Sequence, residues 1–345
     1  MKDQYGREID YIRISVTDRC NLHCKYCIPE CGIASVGHEN ILNFDEITTI
    51  VRECAKLGIK KVKITGGEPL VRRELHTLVR GIKNTPGIQQ VTLTTNGIFL
   101  KDQIDDLAEA GIDAINISLD TLNPEKFKQI TGFDALDKVL EAIKLCKNYQ
   151  GIKLKINVVT LADYNKDEII DFARLAQEDN IDIRFIEMMP IGLGDGFEGY
   201  TQDYIKETLE TEFGELEGPL NDQRAGLDGS TNQSYGNGPA VYYKIPGFKG
   251  KIGFISAISH QFCDSCNRIR LTAEGLLKPC LQYAEGVDLR KAIREGEGGV
   301  PSGNNSNANL YNLIKKGIFD KPKEHNFRSS TVEGREQKLM SKIGG

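Results

Sequence analysis

From residue 10 to about 187 a short β-rich run, a loop and a helical stretch recur six times. The strand candidates are YIRISV (11–16), KVKIT (61–65), VTLTT (91–95), AINISL (114–119), KLKINVV (153–159) and DIRFIE (182–187). Segments of 3.6-residue periodicity lie between them, such as FDEITTIVRECAKLG, with Asp45 and Gly58 as its boundaries. Consecutive strands joined by helical crossovers pair in parallel. The expected fold class is therefore α/β, a partial, open TIM-type barrel of about six β/α units. A flat doubly wound sheet is the less favoured arrangement.

After residue 190 the rhythm breaks. GPLNDQRAGLDGSTNQSYGNGP (218–239) reads as a long mobile loop. Short strands are expected at 240–245, 252–256 and 269–272, helices at 287–295 and 309–317, and a polar stretch at 296–309. The expected organisation is a barrel over 1–217, a polar loop over 218–238, and a smaller α+β module over 239–345 that packs on the barrel.

Lys plus Arg total 44 and Asp plus Glu 49, a balance of −5 that argues against a whole-protein field for nucleic acid. No run approaches the ~18 apolar residues of a membrane span, and MKDQYGREID lacks the apolar core of a secretion signal. Cytoplasmic residence is the expectation. There, nine cysteines, an odd number, suit metal ligands or free thiols better than a disulfide framework.

In a parallel barrel chemistry collects at the C-terminal ends of the strands. Those ends here carry TDRC, GGEP, TNG, LD, TLAD and MMP. The two glycines of GGEP let backbone approach a ligand, although the same run serves as a turn. Within the strands the alternation sets Arg13, Lys63, Lys155 and Arg184 opposite apolar faces that should meet the helices. Four buried cations facing one lumen cost several kcal/mol each unless something answers them. Glu68, Asp120 and Glu187 would answer one or two. For all four an anionic ligand is favoured, a phosphate ester being the obvious class.

Cys20, Cys24 and Cys27 have the spacing C-x3-C-x2-C, with Cys31 four residues on. Three thiolates suit three corners of a cubic iron–sulfur cluster. A zinc site would need His23 or Cys31 as fourth ligand, and a ferredoxin match fails at the first gap and at Gly32. A second set, Cys263-x2-Cys266-x13-Cys280, again lacks an obvious fourth, unless zinc recruits His260. Arg268 and Arg270, two apart on a strand, face the same way beside it.

CNLHCKYC, with Tyr26 just before the last cysteine, resembles the radical S-adenosylmethionine (SAM) signature. With FCDSCNRIRLT, GLLKPCL and the terminal MSKIGG, the chain resembles the GTP 3′,8-cyclase family from about residue 5 to its end. The resemblance implies two 4Fe-4S clusters, on Cys20, Cys24 and Cys27 and on Cys263, Cys266 and Cys280. It implies SAM contacts at Tyr26, Gly67, Ser118 and Met189, and GTP contacts at Arg13, Lys63, Thr94, Lys155, Arg268 and Arg270. Lys63 stands where the family commonly has Arg, keeping the charge and losing the bidentate fork. Arg184 joins Arg268 and Arg270 as a catalytic candidate.

The implied reaction converts GTP to (8S)-3′,8-cyclo-7,8-dihydroguanosine 5′-triphosphate, an early step of molybdenum cofactor biosynthesis. A 5′-deoxyadenosyl radical takes hydrogen from C3′ of the ribose, and the carbon radical attacks C8 of guanine. The implied partners are a reduced carrier of flavodoxin or ferredoxin type and the next enzyme, cyclic pyranopterin monophosphate synthase. A homodimer is compatible. The Gly344–Gly345 tail, disordered by default, would in this family reach the active site. The competing readings are a radical SAM peptide-modifying enzyme with an auxiliary cluster, and a non-catalytic iron–sulfur or zinc protein.

Other residues have plain readings. Cys54 and Cys146 are helix-core thiols, Asp45, Asp102 and Asp134 helix caps or dipole partners, and His38, His76 and His325 surface residues. Met188 and Met189 would be packing but for the family match.

Overall fold

A computed structural model describes residues 1–34, 36–220, 238–295, 303–327 and 333–344. Most of the polar stretch at 218–238 thus lies outside the described residues. Six parallel strands run in sequence order: β1 (Tyr11–Ser15), β2 (Lys61–Thr65), β3 (Gln90–Thr95), β4 (Ala114–Ser118), β5 (Lys153–Val159) and β6 (Asp182–Ile186). They agree with the expected strands to within a residue at each end.

The C-terminal residues extend this sheet at both edges, and Leu289, Leu310, Ile314 and Ile318 join its core. β8 (Ile252–Ile255) pairs parallel with β6, and β7 (Val241–Tyr243) closes that edge antiparallel. β9 (Arg268–Leu271) pairs parallel with β1, followed antiparallel by β10 (Leu276–Lys278) and β11 (Val287–Asp288). Single-sequence patterning missed this because short strands such as RIRL carry no mark of which edge they will join.

The helices cover one face: α1 (Phe44–Lys56), α2 (Leu75–Lys83), α3 (Ile104–Glu109), α4 (Pro124–Thr131), α5 (Leu136–Cys146), α6 (Ile169–Arg174) and α7 (Gln202–Phe213). α8 (Leu289–Glu295), α9 (Gly303–Phe319) and α10 (Met340–Ile343) follow. α9 begins six residues before the expected 309, inside a run of Gly, Asn and Ser whose weak helix propensity hid it. Ile12, Ile14, Val62 and Ile64 share one core with Ile47, Ile50 and Val51 of α1, all fully buried, at about 1.5–3 kcal/mol each. Cys54 and Cys146 belong to it, as expected.

Asn43, not Asp45, caps α1, in a reciprocal pair with Glu46 at 2.8 Å each way; Asp45 sits in the first turn, favourable to the helix dipole. Asp102 and Asp134 cap nothing, because α3 and α5 start two residues after them.

Candidate active site

The inward faces of the strands align in rows. Arg270, Arg13, Lys63 and Thr92 are register partners across β9, β1, β2 and β3, and Thr94, Asn116 and Lys155 across β3, β4 and β5. Arg13, Lys63, Lys155, Arg184, Arg268 and Arg270 line one cavity of ≈ 330 Å3. Burial, and then the charges of Arg184, Arg13, Lys155 and Arg268, push the Lys63 ammonium well below its ordinary range. Burial, followed by Arg13 and Arg268, does the same to Arg270.

The carboxylates expected to answer these cations do not. Glu68 accepts from the Thr95 hydroxyl (2.7 Å) and from the backbone N–H of Asn96 (2.7 Å) and Leu70 (2.9 Å). Asp120 accepts from the Tyr26 hydroxyl at 2.6 Å and the Val159 N–H at 2.8 Å. Glu187 accepts from the N–H groups of Ile258 (2.6 Å) and Ser259 (2.9 Å). All three hold loops at the strand ends, where orphan N–H groups compete successfully for buried oxygens. Burial still raises Glu68 to about 7 and Asp120 to about 6. Lys155 does find a carboxylate, Asp182 at 3.6 Å, and the Tyr242 hydroxyl at 3.0 Å. Arg184 donates to Asn116 Oδ1 at 2.6 Å, while its buried Nε has no hydrogen-bond partner. The cavity therefore keeps a surplus of positive charge suited to a polyanion.

The first cysteine loop leaves β1 and runs against GGEP. The Gly67 N–H donates to Thr17 O at 2.7 Å and the Glu68 N–H to Arg19 O at 2.8 Å. A Cβ at Gly67 would overlap the Arg19 carbonyl. The glycine accordingly serves close packing of two backbones as well as lining the cavity. Arg72 clamps the same loop by donating to Val16 O (2.6 Å) and Leu42 O (2.8 Å). Cys20, Cys24 and Cys27 line the cavity, whereas Cys31 is exposed and does not. Burial pushes the Cys20 thiol up to about 11, Cys24 well up, and Cys27 up to about 12. Three such thiols become thiolates only with a metal to hold them. The Leu22 N–H is within 3.4 Å of Cys20 Sγ, the kind of donor that tunes a cluster sulfur. Tyr26, Gly67, Ser118 and Met189 line this end.

Cys263, Cys266 and Cys280 open onto the other end of the same cavity. Burial raises Cys266, but Lys321 and Arg268 outweigh it and bring the thiol down to about 6. His260 is turned away, its ring 2.9 Å from Asp203. His325, expected at the surface, is 7% exposed; its N–H donates to Cys263 Sγ at 3.4 Å and neither ring nitrogen has a hydrogen-bond partner. Among the described residues no three His, Cys, Asp or Glu side chains converge as the ligands of a single ion would. His23 stacks edge-on against Phe133 at 5.5 Å. Both trios fit the corners of a multi-iron cluster, with thiols open on one side.

Of the Gly344–Gly345 tail, Gly345 lies outside the described residues. α10 lays Ile343 into a small apolar cluster with Ile191, Ala257, Leu281 and Phe327. Gly344, at φ +72°, accepts from Arg270 at 2.8 Å. A Cβ there would stand 3.0 Å from that of Ser15. Lys278 and Glu336, both buried, form an ion pair that fixes the tail upstream.

The two cysteine trios and the residues expected to contact SAM and GTP all line this cavity, whereas Cys31, His23, His260 and Asp120 do not. Sequence reading gave no site role to Tyr11, Asn116, Asn157, Lys321 and His325, which line it too. For the first three the signal existed, since strand alternation places them on the same inward face as Arg13, Ser118 and Lys155. For Lys321 and His325, in a loop after α9, there was none.

The radical SAM superfamily model matches residues 14–176, and the molybdenum cofactor synthesis C model residues 181–327. A curated relative from Clostridium perfringens, named GTP 3′,8-cyclase, is 47% identical over 100% of both chains. One of the same name from Alkaliphilus metalliredigens is 42% identical, again over 100% of both. Among solved structures, Streptococcus suis SuiB bound to S-adenosylmethionine superposes with a TM-score of 0.60 at 16% identity, covering 94% of this chain and 69% of that one. That last likeness speaks for the fold alone.

Proposed function

Since the chain belongs to the GTP 3′,8-cyclase family of radical SAM enzymes, we propose that this cavity converts GTP to (8S)-3′,8-cyclo-7,8-dihydroguanosine 5′-triphosphate in molybdenum cofactor biosynthesis. The observation that carries the reading is one cavity with an open cysteine trio at each end and a belt of six cations between. A peptide-modifying or non-catalytic reading gives way to full-length identity of 47%.

Cys20, Cys24 and Cys27 would hold the first 4Fe-4S cluster and Cys263, Cys266 and Cys280 the second. When bound, the first cluster with SAM supplies a 5′-deoxyadenosyl radical and the second supplies an open iron for the guanine base. Tyr26, Gly67, Ser118 and Met189 are assigned to SAM. Tyr26 is pinned by Asp120 through its hydroxyl, so its ring is what it presents to a cofactor. Arg13, Lys63, Lys155, Arg268 and Arg270 are assigned to the triphosphate and Thr94 to the ribose side, turning the ribose toward the first trio. The cations repel one another in the empty cavity, and an entering polyanion relieves that repulsion. Arg184, anchored through Asn116, adds its charge to the belt. Arg268, Arg270 and Arg184 are the candidates for holding charge or delivering the final proton. The Gly344 carbonyl accepts from Arg270, which brings the C-terminal tail to the cavity wall.

The reading extends to a flavodoxin- or ferredoxin-type electron donor, to transfer of product to cyclic pyranopterin monophosphate synthase, to a homodimer, and to the cytoplasm. It takes 1–217 as the SAM unit and 239–345 as the unit bearing the second cluster. Anaerobic incubation with SAM, dithionite and GTP tests it: 5′-deoxyadenosine should form only with GTP. SAM cleavage indifferent to nucleotide refutes it.

A further inference from the structure

Behind the second cysteine trio, two buried cations from distant parts of the chain grip all three ligand segments. Lys321 is 3% exposed, and its ammonium donates to Arg268 O at 2.8 Å and Pro279 O at 2.6 Å. Arg268 lies two residues after Cys266, and Pro279 immediately precedes Cys280. Arg7 takes the remaining segment, donating to Cys263 O at 2.9 Å and to the carbonyls of Lys323 (2.7 Å) and Pro322 (2.6 Å).

A buried ammonium needs more than carbonyl dipoles. Desolvating it costs several kcal/mol, and two carbonyl bonds engage two of its three hydrogens without neutralising its charge. The ammonium sits between the Cys266 and Cys280 segments, beside the trio itself. A cubic cluster on three thiolates is a net anion, and more so when reduced. A cation at this place therefore favours the reduced form, and its bonds hold two ligand segments at a fixed separation.

Resting on the two-cluster reading above, we propose that Lys321 is the positioning residue of the second cluster, tying the Cys266 and Cys280 segments through one nitrogen and stabilising the reduced state by its buried charge. Lys321 touches neither nucleotide nor sulfur in this role; it acts through the ligands.

The test uses the full chain, reconstituted anaerobically, with iron analysis and a redox titration followed by electron paramagnetic resonance. Wild type should bind about eight irons per chain, four to each cluster. Lys321→Met, similar in length but without charge or donors, should fall toward about four irons, the SAM-responsive signal of the first cluster being kept. Lys321→Gln keeps two N–H donors and loses the charge. It should retain its iron, while the reduced-to-oxidised ratio of the second cluster at fixed potential drops about tenfold, a shift of about 59 mV for one electron.

A Met variant with wild-type iron content and wild-type signals overturns the proposal. If that variant does not fold, the Gln variant decides, and an unchanged second potential overturns the proposal equally. Wild type with about four irons and none at Cys263, Cys266 and Cys280 would instead remove the two-cluster reading on which it rests.

Discussion

Gly253 on β8 lies in register between Arg184 on β6 and Tyr242 on β7. Its backbone is ordinary for a strand, so the absence of a side chain serves space. A Cβ there would stand 2.9 Å from Arg184 Cγ and 2.9 and 3.1 Å from two ring carbons of Tyr242, pressed from both sides. Neither neighbour yields freely, since Arg184 is bonded to Asn116 and Tyr242 to Lys155.

Gly253→Ala should therefore cost about 1–3 kcal/mol of stability, the usual range for overpacking. It should also tilt two cations of the belt. Misaligning one charge-assisted hydrogen bond to the nucleotide costs about 1.5–3 kcal/mol, a roughly tenfold to hundredfold weaker GTP affinity. Calorimetric titration of GTP into the anaerobic, reconstituted variant measures this. Gly196→Ala, where a Cβ meets nothing within 4 Å, is the control and should match wild type. A folded Gly253→Ala variant with wild-type affinity would refute the packing argument.

Arg270→Ala removes a buried cation and the bond to Gly344 together. GTP affinity should fall at least about tenfold with iron content unchanged, and protease cleavage near the C-terminus should quicken. Lys278→Met or Glu336→Gln alone should cost about 3–5 kcal/mol by leaving a buried partner uncompensated; the double variant Lys278→Met/Glu336→Leu should recover most of it in a denaturation cycle. Glu68 and Asp120 are acids with folded-state pKa values raised to about 7 and about 6. Their protons are held more tightly when folded, so the stabilising contribution is complete below pH 4 and lost as pH rises through 6 to 7. The metal-free chain should lose on the order of 3 kcal/mol per group over that window. Glu68→Gln should flatten the melting profile there, and a wild-type profile rising with pH would contradict the assignment.

Two kinds of information were legible before any coordinates. Period-2 alternation depends only on neighbouring residues, so Arg13, Lys63, Lys155 and Arg184 could be placed on an inward face from the strand runs alone. Cysteine spacing is equally local, and it picked out the trio at 20–27, but it left Cys31 open as a fourth ligand until the fold put that residue at the surface. Helix caps were less legible. Asn43 and Asp45 are both competent, and only the return bond from Glu46 distinguishes them.

What the amino-acid order determined by itself is the parallel framework, the lumen charge and the two cysteine trios, because each follows from spacing along one segment. The tertiary structure alone decided which partner each buried polar group takes. Glu68, Asp120 and Glu187 turned to backbone N–H groups, and His325 and Lys321 came to back the second trio, because those contacts join loops whose distance in space is set by the closing of both sheet edges. A buried oxygen takes whichever donor the fold brings within 3 Å, and spacing along the chain does not encode that donor.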